Sequence, residues 1–88
     1  MRAVFDKVLT ETPKCTQYLW RVIPAEGEST PATHVATSSL RFLRVRETAA
    51  FWSDKDGEVT SWEALSRTEP DEHVACLEIA GIEVVQGD

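Results

Sequence analysis

No apolar run in the chain approaches the roughly 18–20 residues that a membrane span needs, and the N-terminal stretch lacks the apolar segment of a secretory leader. Both absences point to a cytoplasmic protein with no membrane partner. Cysteine is sparse: there are only 2, Cys15 and Cys76, far apart and set in apolar segments, where free buried thiols are common. We read them as reduced; whether they pair depends on a Cα separation that sequence does not encode. Glycine is scarce too, 4 in 88 residues, and there is no glycine-rich phosphate loop, internal repeat, low-complexity tract or heptad pattern.

Short-spaced metal ligands are also missing. Cys15, His34, His73 and Cys76 are the right types for a tetrahedral zinc site, but structural sites present two short ligand pairs, and here only His73 and Cys76 are neighbours. In a strand, the conformation expected for that segment, these two face opposite sides. Asp54, Asp56 and Glu58 look like part of a calcium loop, yet its sixth and twelfth places fall on Val59 and Leu65 instead of glycine and glutamate. Turn chemistry explains the aspartates better. No metal and no cofactor are expected.

Catalytic constellations fare no better. Cys76 with His34 or His73 is the only thiol and imidazole combination, and no motif joins them. Ser38, Ser39, Ser53, Ser61 and Ser66 have no nucleophile-elbow context. A chain this small rarely encloses the roughly 300 Å³ of an enzyme pocket, so a non-enzyme is expected.

What the chain does have is enough for one compact domain over residues 1–88. Seven aromatic side chains, Phe5, Tyr18, Trp20, Phe42, Phe51, Trp52 and Trp62, offer about 150–250 Å² of burial each. The charge is lopsided: residues 1–46 carry +3 and residues 47–88 carry −9, within a net charge of −6. A field of that sign steers the molecule towards basic surfaces and argues against general binding of nucleic acid.

Along the chain, residues 3–9 predict a strand ending at the breaker cluster Thr10-Glu11-Thr12-Pro13. Residues 15–23 predict the best strand, with Tyr18, Trp20 and Val22 on one face and Leu19 and Ile23 on the other, so a central strand covered on both sides. Residues 24–34 read as a long loop and a candidate contact segment. Residues 39–46 read as one strand whose alternation slips at a bulge. Asp56-Gly57 places a hairpin turn between strands near 49–53 and 58–60. Thr60 and Glu63 form a capping box, predicting a short helix over 61–67 that stops at Pro70. Residues 73–85 read as a strand pair or one strand bent at Gly81. The expected fold is α+β or mainly β, a small antiparallel sheet of about five strands with one short helix near 61–67.

Function by elimination is binding. The leading expectation is a protein-binding module, a regulator or inhibitor of a larger partner with a basic surface, met by an acidic face of Glu58, Glu63, Glu69, Asp71 and Glu72. A nucleic-acid mimic of phage or mobile-element origin is a variant of this. The alternatives are an assembly protein that self-associates through its sheet, including a homodimer, and a nucleic-acid binder using Arg41, Arg44 and Arg46 around Phe42.

Overall fold

A computed structural model describes residues 1–69 and 72–86, with the backbone alone at Phe42 and Val45. Four long strands form an up-and-down meander: β1 (Arg2–Glu11), β2 (Cys15–Ile23), β3 (His34–Phe42) and β4 (Val45–Ser53). They are followed by β5 (Ser66–Thr68), the helix α1 (His73–Ile79) and β6 (Glu83–Val85). The six strands make one sheet in the order β5-β4-β3-β2-β1-β6, curled into a half-barrel. The fold is therefore mainly β, but the sheet is mixed rather than antiparallel, because β6 runs parallel to β1. It also has six strands where about five were expected.

The bounds read for β2 match those observed, and both its faces are covered: Leu19 is 0% exposed and Trp20 4%. Trp20, Val35 and Trp52 form one rung on the helix side, and with Ala3, Val22, Ala50, Cys76, Leu77 and Ile82 they make the core. The opposite face holds the rung Leu19, Ala36 and Phe51, with Trp62 packed edge-on against Phe51 at 5.7 Å. Strand β1 bulges at Asp6 and again at Leu9. Beyond Val4 it has β2 as its only strand neighbour among the described residues. Bulges and the exposed charges of Asp6 and Lys7 are common guards of such an open edge.

Three local expectations are corrected. No helix forms over 61–67. The Thr60 N–H donates to Trp52 O and the Leu65 N–H to Ala50 O, so the segment runs along the open edge of β4 and Ser66–Thr68 joins the sheet. Edge pairing outweighed a local capping signal worth only about 1 kcal/mol. Residues 39–46 are not one bulged strand either: Leu43 and Arg44 turn the β3–β4 hairpin, and Phe42 pairs with Val45. The stretch 73–79 is the helix rather than a strand, burying His73, Cys76 and Leu77 at helical spacing. Gly81, at φ 83, ends it. Ile82 N–H bonds to Leu77 O and Gly81 N–H to Glu78 O, the paired pattern that a left-handed glycine closes at a helix C-terminus.

A turn forms here with Gly57 at the expected positive φ of 88, but it is centred on Lys55-Asp56, with Gly57 N–H bonded to Asp54 O, and in place of the expected strand at 58–60 there is only a bridge between Ser53 and Val59. Asp54 Oδ1 accepts the N–H groups of Asp56 and Glu58, both at 2.9 Å. The long loop spans residues 24–33, and β3 opens at His34. Inside it the Ala25 N–H and the N-terminal ammonium hold the Glu28 carboxyl below its ordinary pKa. No helix of the described residues is long and apolar enough to cross a membrane.

Candidate functional site

The helix covers only part of the concave face of the sheet. It packs against β3, β4, β5 and β6, which leaves the middle of β1 and β2 open beside its N-terminal end. Two adjoining concavities occupy that opening. One is an apolar groove of about 420 Å³ lined by Phe5, Tyr18, Trp20, Val74 and His73, with Glu72 at its rim. The other is a polar recess of about 220 Å³ bounded by Cys15, Thr16, Ser39 and Arg41. Tyr18 and His73 line both.

Those two rings are stacked, with centroids 3.9 Å apart and planes at 21°. Phe5 meets Tyr18 edge-on at 5.7 Å and Trp20 at 5.5 Å, the T-shaped geometry that aromatic quadrupoles favour. Although it takes part in both contacts, Phe5 stays 47% exposed, and Val74 is 42% exposed. The groove thus offers apolar surface to solvent.

Below the recess the sheet carries an unusual rung, Thr16, Ser39, Thr48 and Thr68, one hydroxyl from each of four neighbouring strands. Ser39 and Thr48 bond to each other at 2.9 Å. One rung away, Thr37 Oγ1 lies 2.8 Å from Trp20 Nε1 and 2.6 Å from His73 Nδ1, while Thr16 Oγ1 lies 2.8 Å from His73 Nε2. An indole N–H can only donate, so the Thr37 oxygen accepts it. Thr37 is fully buried, and among the described residues His73 Nδ1 is the acceptor that its hydroxyl reaches. Read that way, the imidazole proton sits on Nε2 and is donated to Thr16.

That assignment decides what the imidazole can do. A hydroxyl nucleophile needs a ring nitrogen with a free lone pair facing it. In this tautomer the nitrogen facing Thr16 carries the proton, and the one with the lone pair bonds to Thr37. The two bonds join α1 to β2 and β3.

The thiols are separated. Cys76 is buried under α1, with Sγ 2.9 Å from Ser66 Oγ and 3.6 Å from Thr48 O. Burial pushes its pKa up, and the Ser66 hydrogen bond offsets part of that rise. Cys15 is half-buried beside the recess, and both are free thiols. The helix does bring His73 and Cys76 to one face, contrary to the strand reading, but their polar atoms bond to different neighbours. His34 lies elsewhere, 3.6 Å from Asp6. No three His, Cys, Asp or Glu side chains of the described residues converge as a metal site.

Glu58, Glu63 and Glu69 are exposed along the segment that follows the β4 edge, and Glu72 is exposed at the groove. Asp71 lies outside the described residues. Arg67 interrupts the series, bonded to Glu47 at 2.7 Å and placed 6.0 Å from the Phe51 ring. Arg44, Arg46 and Arg67 line a shallow depression with Glu47 and Glu69. Arg41 stands opposite Arg46 across the hairpin.

Sequence reasoning missed Thr16, Thr37 and His73 as partners, because hydroxyl residues in strands normally face solvent. The one available signal was the spacing of His73, Cys76, Leu77 and Ala80. Comparisons of the chain with protein-family models, with curated proteins and with solved structures found no match.

Proposed function

We propose that this domain is a non-catalytic protein-binding module whose partner inserts an apolar side chain, next to a basic one, into the groove between Phe5 and Val74. The observation that carries this reading is the groove itself, an aromatic-lined concavity left open by the helix, with the carboxylate of Glu72 on its rim. Interface anchors are commonly aromatic or aliphatic side chains seated in such pockets, with charge on the rim setting partner choice. A net charge of −6 favours the same kind of partner, and exposed Glu58, Glu63 and Glu69 steer its approach. The tautomer of His73 and the burial of Cys76 support the non-catalytic part.

Selection from a displayed random-peptide library on the immobilised domain tests this. Enriched peptides should pair a Leu, Met or aromatic residue with a neighbouring Arg or Lys. Phe5→Asp and Val74→Asp, both at exposed positions, should abolish capture, and Glu72→Lys should weaken it at low salt. Selected peptides without that pairing, or capture indifferent to Phe5 and Val74, would refute the reading.

A further inference from the structure

The groove between Phe5 and Val74 calls for an apolar side chain with a basic neighbour, and the chain itself displays that pair. The β3–β4 hairpin ends in Leu43 and Arg44. Leu43 has φ 55, the only positive φ outside glycine in the described residues, and its side chain is 95% exposed. With only the first of the two turn residues at positive φ, the turn follows the type II′ pattern, in which glycine is the usual occupant. A leucine in the left-handed region is strained by its Cβ, and within the monomer no burial offsets that strain. Leu40, near the tip, is 50% exposed, and Arg44 is exposed beside Leu43. Strain kept at an exposed apolar residue points to a contact made outside the monomer.

We propose that this tip docks in the groove of a second copy of the chain: Leu43 enters between Phe5 and Val74, and Arg44 meets Glu72 on the rim. The proposal rests on the groove being a binding site, and it names the occupant. Within one molecule the two surfaces do not meet. Strand β3 runs on from Thr37, the partner of Tyr18, to Phe42 before the turn, which sets Leu43 about 20 Å from its own groove. The Arg41 N–H bonds to Lys14 O at 2.8 Å, and Leu43 and Arg44 lie past that bond, at the end of the hairpin. Charge agrees with this placement, because Glu72 is the carboxylate on the groove. Arg41 is already engaged within its own molecule and lines the recess instead of the groove, so the contact does not call on it. At physiological salt, the repulsion between copies of net charge −6 is screened beyond about 8 Å. Tip and groove are unlike patches, so the contact is heterologous, and copies add in series unless two close on each other.

Sedimentation velocity at protein concentrations from about 10 μM to 1 mM, in physiological salt, tests the proposal. The wild type should self-associate, with a mass that rises with concentration. Leu43→Gly relieves the backbone strain, so its melting temperature should be equal or higher. It should nevertheless weaken self-association about 10–100-fold, through the loss of one buried leucine side chain. Val74→Asp should weaken it to a similar degree from the groove side. The deciding measurement is the mixture. Val74→Asp keeps its tip and Leu43→Gly keeps its groove, so labelled Val74→Asp should bind Leu43→Gly more tightly than either variant binds itself. Two copies meeting through one shared patch would show no such rescue. The proposal is overturned by a wild type that stays monomeric at the top of that range, by a Leu43→Gly that associates as the wild type does, or by a mixture no tighter than its components. If selected peptides still depend on Phe5 and Val74 in those cases, the groove reading stands and only the second copy is lost. Peptides indifferent to both residues would remove the reading itself.

Discussion

Gly57 is the position where one methyl group tests the most geometry. Its φ of 88 belongs to the left-handed region, and an added Cβ would sit 2.6 and 2.8 Å from the two Cδ atoms of Leu9. Leu9 lies on β1, three strands away from β4 in the sheet order, so this contact records that the 54–58 tip folds back across the sheet. Gly57→Ala carries two costs. The backbone part is about 1–2 kcal/mol, reduced by about 0.4–1 kcal/mol because alanine also restricts the unfolded chain. The overlap with Leu9 adds about 1 kcal/mol, at the low end for overpacking, because the clashing atoms end a flexible, half-buried side chain. A total near 2 kcal/mol should lower the melting temperature by about 8–16 °C for a domain of this size. The assay is a double-mutant cycle by urea denaturation. Leu9→Ala alone should cost about 1–2 kcal/mol, and in its background the price of Gly57→Ala should drop by about 1 kcal/mol. Additivity within about 0.3 kcal/mol would mean that the two residues do not touch. A neutral Gly57→Ala would mean that the turn is not left-handed.

Two further outcomes follow from the buried polar network and the thiols. Thr37→Val leaves the indole N–H of Trp20 without its acceptor and removes the hydroxyl bonded to His73 Nδ1, so it should destabilise by about 2–4 kcal/mol in urea. In the wild type, long-range 15N–1H correlation should place the His73 proton on Nε2; a proton on Nδ1 would reverse the argument against a catalytic imidazole. Cys15 should react rapidly with a disulfide reagent, with Cys76 reacting only on unfolding. The native state holds the Cys76 proton to a higher pH than the unfolded chain does, so the stability this contributes is full below the ordinary thiol pKa. It declines as pH rises through the folded value. Cys76→Ala should flatten the decline measured between pH 8 and 10, and an unchanged slope would count against a protonated buried thiol.

The parts of this fold that were legible in sequence are those in which local pattern and tertiary contact agree. The alternation of Tyr18, Leu19, Trp20 and Val22 marked β2 because both its faces are buried, and Asp56-Gly57 marked a turn because no other pairing competes there. Thr60 and Glu63 misled because their local preference is weak and the bare edge of β4 offered backbone partners in a line. His73–Ile79 misled because 7 residues barely span two turns, and β-branched and apolar neighbours suit a strand equally well. For the candidate site, Glu72 and the aromatic side chains were visible as types. Their convergence was not, since it depends on where α1 lies over the sheet. Thr16 and Thr37 were hidden for a chemical reason: a buried hydroxyl is indistinguishable in sequence from a solvated one until its partner, here a histidine more than 30 residues away, is placed.

The pairing of β6 with β1 has a consequence in time. Arg2 lines up with Glu83, so β1 waits for roughly 80 further residues to be synthesised before its second neighbour arrives. At ribosomal speeds of about 5–20 residues per second, that interval is about 4–16 s, far longer than a hairpin takes to form. For roughly the last 30 of those residues, about 1.5–6 s, β1–β4 can pair while Leu77 and Ile82, which share the core with Ala3, Val22 and Trp52, have yet to be made. The nascent chain is thus obliged to spend seconds as an open, sticky sheet, and its yield in the cell should depend on what shelters that surface meanwhile.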